Sequence, residues 1–136
     1  MRKIHSLFNP NILLCIIQKK CEFEFGRVNL SNDEEYLQVA TISQNKDCKF
    51  IAHKHIKCSK QITITQEAWV IISGKVLFKL YDINNCLIEE IILTDGDCAI
   101  TFNGGHSYEI LDDFTKIYEF KNGPYLSQEL DKEFIK

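Results

Sequence analysis

Short apolar runs, broken every few residues by turn-forming side chains, constrain this chain more than any other feature. Residues rich in Ile, Val, Phe and Thr recur without the i, i+3, i+4 spacing of a helix, the pattern of an all-β sandwich or barrel. Strands are expected at about Ile12 to Ile17, Phe23 to Asn29, Tyr36 to Ser43, Phe50 to His55, Ile62 to Thr65 and Glu67 to Ile72. Further strands are expected at Lys75 to Tyr81, Leu87 to Leu93, Cys98 to Phe102, Ser107 to Leu111 and Thr115 to Phe120. Asp82-Ile83-Asn84-Asn85, Thr94-Asp95-Gly96-Asp97 and Asp112-Asp113 separate these runs with residues that close turns or tolerate positive φ. From Leu126 to Lys136 the charge spacing suits a short terminal helix or a loose solvated end.

Several expected strands are apolar on both faces, Ala68-Trp69-Val70-Ile71-Ile72 and Ile12-Leu13-Leu14-Cys15-Ile16-Ile17 among them. One face of each would look into a barrel and the other would need a second cover. A homodimer supplies that cover, and two-fold dimers are the commonest closed assemblies. With 136 residues the chain suits a single domain, 1–136, with one substantial core.

A formal charge of -3 gives no electrostatic reason to bind nucleic acid or an anionic membrane, which leaves small molecules and protein partners. No apolar run is long enough to span a bilayer. The basic start Met1-Arg2-Lys3 precedes an apolar stretch that Asn9-Pro10-Asn11 interrupts, unlike a secretory signal. Six cysteines without C-x-x-C spacing then read as reduced thiols of a cytoplasmic protein.

The chemistry-bearing residues cluster in pattern. His53-Lys54-His55 on a strand would present two imidazoles on one face, because residues i and i+2 point the same way. Glu67 follows, and a Gly104-Gly105-His106 turn brings a third imidazole. Such mixed N and O donors suit Fe, Mn, Ni, Co or Zn as divalent ions. On a six-coordinate ion they leave two positions open, where a substrate oxygen could be polarised.

His53, His55, Glu67 with Gly74 after it, Gly96, Gly104 and His106 resemble the two motifs of the cupin superfamily. The resemblance covers about residues 50–120. It departs from the family pattern in the long gap from Ile56 to Gln66, in Phe102 where Pro is usual, and in His106 arriving one residue early. Ile110 stands near the place of the second motif's Asn. Gln66-Glu67, Tyr81-Asp82 and Lys121-Asn122-Gly123-Pro124-Tyr125 are also similar to small bacterial cupins associated with cell-surface polysaccharide and sugar pathways. The resemblance implies a double-stranded β-helix, or jelly-roll barrel, with its core at about 36–120, N-terminal strands before it and a short C-terminal tail. It also implies His53, His55, Glu67 and His106 as ligands of a divalent metal ion, and points the same way on the dimer.

Two aromatic residues complete the candidate site. Trp69 shares the strand face of Glu67, as a pocket wall or a core residue, and Tyr108 shares the face of His106, as a proton donor or as packing. Three readings follow: a metal-dependent enzyme acting on a sugar-type or small oxygenated metabolite, a non-catalytic ligand-binding or regulatory cupin, and a metal-free sugar-nucleotide isomerase or epimerase. The last would use His53 or His55 as base and a tyrosine as acid.

Overall fold

The computed structural model describes all 136 residues. Its strands are β1 (Arg2–His5), β2 (Leu13–Gln18), β3 (Gly26–Asn29), β4 (Ala40–Ser43), β5 (Glu67–Ser73), β6 (Lys75–Tyr81), β7 (Leu87–Thr94), β8 (Cys98–Thr101), β9 (Gly105–Ile110) and β10 (Lys116–Lys121). A 3-10 turn (Lys20–Glu22) follows β2, and a single helical turn, α1 (Gln128–Asp131), lies near the C-terminus.

Strand formation follows the expected two-residue period most cleanly in β6, where Val76, Phe78 and Leu80 are buried while Lys75, Leu77, Lys79 and Tyr81 are not. All strand pairs are antiparallel. They build a five-stranded sheet in the order β1-β2-β8-β5-β10, a three-stranded sheet β7-β6-β9 and a two-stranded ribbon β3-β4. The barrel expectation is corrected at this point, because none of the three sheets closes on itself.

A layered sandwich results. Leu14, Ile17, Trp69 and Ile71 of the five-stranded sheet meet Val76, Phe78, Leu80, Ile91 and Leu93 of the three-stranded sheet in one apolar core. Ile16, Ala68, Cys98 and Ile100 point to the opposite face of the five-stranded sheet, where Val28, Leu30, Leu37 and Val39 cover them. Every residue of β2 and of β8 is therefore buried. The second cover that the doubly apolar strands required comes from the chain's own β3-β4 region, so those strands give no reason to invoke a second copy. Each fully buried Leu, Ile or Phe contributes about 1.5–3 kcal/mol, and the central sheet collects that on both sides.

Two buried carboxylates tie turns to this frame. Asp82 accepts the backbone N–H groups of Leu7 and Phe8 at 2.7 and 3.1 Å, and Asp97 accepts from Lys19 Nζ at 2.8 Å and from the N–H of Lys20 at 3.0 Å. Burial opposes their charge, but these hydrogen bonds prevail and hold both below the usual aspartate range.

Several element boundaries differ from expectation. No strand forms at Phe50 to His55 or at Ile62 to Thr65; residues 44–66 carry no regular structure between β4 and β5. A strand needs a partner, and no strand of the three sheets pairs with this segment. The runs from Phe23 and Tyr36 shrink to β3 and β4, and β1 pairs with β2 although the sequence did not announce it.

Candidate functional site

Glu67 opens β5 and His106 is the second residue of β9. They come from different sheets, yet His106 Nε2 lies 3.2 Å from Glu67 Oε2. What brings them together is the turn before β9. Gly104 has φ of 72°, and a Cβ there would stand 2.4 Å from the Tyr81 carbonyl oxygen, so only glycine lets β9 start this close to the end of β6.

A cavity of about 560 Å³ lies over this pair. Tyr81, Tyr108 and the C-terminal segment from Asp131 to Ile135 form much of its wall. Gly105 is tightly used, since a Cβ would sit 2.2 Å from Ile135 Cδ1. The tail, expected as a short terminal helix or a loose solvated end, forms the helical turn α1 and then lies over the site.

The electrostatics centre on Glu67, which is 4 % exposed. Burial alone would raise its pKa, but the His106 hydrogen bond, the charge of His106 and the ammonium groups of Lys132 and Lys121 outweigh burial and hold it below the usual glutamate range. Both lysines place Nζ 4.0 Å from Glu67 Oε1. Lys121 also lies 3.8 Å from Asp131 Oδ2, a buried oxygen that accepts no hydrogen bond, and 4.6 Å from the centre of the Tyr125 ring. Thr65 donates to the other oxygen of Asp131.

Trp69 is a core residue that backs the site. It is 3 % exposed, its Nε1 donates to Glu119 at 3.1 Å, and its ring centre lies 4.4 Å from that of His106. Phe78 stacks near-parallel to His106 from 6.5 Å. Tyr108 lines the cavity and is 46 % exposed, leaving its phenol free to meet a ligand.

His53 and His55 lie elsewhere. They sit exposed in residues 44–66, their rings 5.5 Å apart, and no three His, Cys, Asp or Glu side chains stand together in a metal-binding arrangement. The expected ligand set of His53, His55, Glu67 and His106 is therefore not assembled. Its cause is the missing strand: without a sheet partner the His-x-His pair is not aimed at the pocket. The remaining pair does not fit a divalent cation as arranged, because two donors are too few and two ammonium groups already crowd the carboxylate.

No family model, curated protein or solved structure matches the chain.

Lys121, Asp131 and Lys132 were not among the expected site residues. Lys121 faces Glu67 through the β10–β5 register, while the folding of the tail brings Asp131 and Lys132 to the site.

Proposed function

We propose that this chain is a cupin-like β protein that takes a sugar-type or other small oxygenated metabolite into the cavity above Glu67 and His106, with His106 as its proton-transfer group. The observation that carries this reading is the 3.2 Å pair at the cavity floor, formed by two of the residues on which the cupin resemblance rests. A carboxylate bonded to one ring nitrogen orients an imidazole and stabilises it when it accepts a proton.

The surrounding groups favour a polyhydroxyl ligand. Lys132 donates and Glu67 and Asp131 accept, all three from the cavity wall. The half-exposed ring of Tyr108 offers an apolar face to sugar C–H groups and, beside His106 on β9, a hydroxyl that can act as an acid.

Binding of monosaccharides and sugar nucleotides, followed by saturation-transfer NMR in heavy water, tests the reading. At least one should bind to the wild type and weaken about tenfold or more in Glu67→Gln and His106→Gln, the loss expected for a hydrogen bond to a charged group. Deuterium should enter a carbon of the bound sugar with wild type and not with His106→Gln. Failure of every sugar to bind, or binding indifferent to both substitutions, would overturn the proposal. Binding without deuterium uptake would leave a ligand-binding protein and remove the proton-transfer role.

A further inference from the structure

The C-terminal segment is attached to the cavity differently from the strands around it. Its anchor is Asp131, which accepts a hydrogen bond from Thr65 and lies 3.8 Å from Lys121 Nζ. The last backbone hydrogen bond of the chain runs from the Lys132 N–H to the Gln128 carbonyl at 2.9 Å, and residues 133–136 make none. Beyond the anchor two side-chain contacts hold the segment down: Lys132 Nζ stands 4.0 Å from Glu67 Oε1, and Ile135 rests against Gly105. We propose that residues 132–136 are a strap, hinged after Asp131, which swings open to admit a ligand to the cavity and closes on it, with Lys132 and Ile135 as its two latches. That ligand is the sugar-type metabolite proposed for this cavity, so the role of the strap rests on that reading.

The seat of the second latch is built for it. Gly104 needs glycine for its positive φ, but Gly105, inside β9, does not share that conformation. What the missing side chain at Gly105 provides is room for Ile135, whose Cδ1 stands 2.2 Å from where a Cβ would lie.

Both latches are weak enough to release. The Lys132 side chain is 45 % exposed, and ion pairs open to water contribute little. Ile135 is half-buried. A segment with few buried apolar contacts and no backbone ladder belongs to the low-stability end of a fold, from which active-site lids are drawn. Nor is the strap fully closed. Phe134 lines the cavity while 73 % exposed, so its ring has apolar area left to bury against a ligand.

Full-length protein carrying 13C at the isoleucine δ1 methyls tests the strap with no ligand present. In the wild type the Ile135 methyl should lie away from the random-coil position and show relaxation dispersion, the mark of opening on microseconds to milliseconds, while Ile100 in the core shows none. Lys132→Ala removes one latch. Gly105→Ala lifts the other, because its Cβ collides with the flexible end of Ile135 and otherwise meets only Tyr81 Cβ at 3.4 Å, an ordinary contact that preserves the fold. Each should move the Ile135 methyl toward random coil and leave Ile100 in place. Stopped-flow binding of a panel sugar that saturation transfer shows to bind gives the second arm. Entry and release should both quicken, release by up to about fivefold in Lys132→Ala, the factor an exposed ion pair supports, and by more when residues 132–136 are removed. A side chain that merely touched the sugar would alter release and spare entry. A wild-type Ile135 methyl at random coil or without dispersion, a methyl that neither substitution moves, or faster release with unchanged entry would each overturn the strap. If no panel sugar binds, the pocket reading falls, and the Ile135 methyl alone decides whether the segment opens and closes.

Discussion

Glu67 couples the site to acidity. Its folded-state pKa lies below the ordinary value, so the folded protein holds this proton less readily than the unfolded chain. The stability it contributes is complete above the ordinary glutamate range, about 4.3, and is lost as pH falls through its lower folded value. Glu67→Gln should therefore flatten part of the acid limb of a stability-versus-pH curve measured by denaturant unfolding. Asp82 and Asp97, whose pKa values are lowered too, contribute to the same limb, as do Glu22 and Glu129. An unchanged curve would mean the Glu67–His106 bond does not persist in solution. The thiols divide just as sharply. Burial pushes Cys15 and Cys98 up to about 12, so at neutral pH with a chelator present they should resist a disulfide reagent while Cys21, Cys48, Cys58 and Cys86 react. Denaturant should release the two slow thiols, and prompt native reaction at Cys98 would contradict the packing.

At the scale of elements, β8 deserves the closest test because it lies between β2 and β5 and is buried on both faces. Ile100→Ala removes a side chain with no exposed surface, and the expected loss is about 2–5 kcal/mol by chemical denaturation. A loss under about 1 kcal/mol would show that the β3-β4 cover is loose. The run from β5 to β8 was readable in advance because its apolar runs have strand length and its turns carry Asn, Asp and Gly. Glu67 and His106 were readable for the same reason, since each belongs to a strand whose neighbours fix its direction. His53 and His55 were not. A two-residue period describes a strand once one exists, but it cannot supply the partner whose hydrogen bonds make the strand. Nor could β1 be read, as only the pairing Lys3 with Ile16 and Ile4 with Cys15 gives Arg2–His5 its conformation. Lys132 and Ile135 looked like parts of a solvated tail because their role depends wholly on a distant turn at Gly105.

Across the whole molecule, the sheets join residues far apart in the chain. Ile16 pairs with Ile100, and Ala68 pairs with both Ile100 and Phe120. Closing such loops before native contacts form makes sheet proteins slow folders, on the order of milliseconds to seconds. Stopped-flow refolding followed through Trp69, the one tryptophan and a core residue, should fall in that range; completion within tens of microseconds, on the order expected for local helical contacts, would contradict this topology. The tail carries one more consequence. Ile135 rests on Gly105 at the cavity, with Lys136 the next residue. A peptide tag joined after Lys136 would begin at the mouth of the binding site, and a ligand that displaced the tail would free the tag as well. The rate at which a protease clips such a tag would then report on occupancy of the cavity, with no label on the ligand.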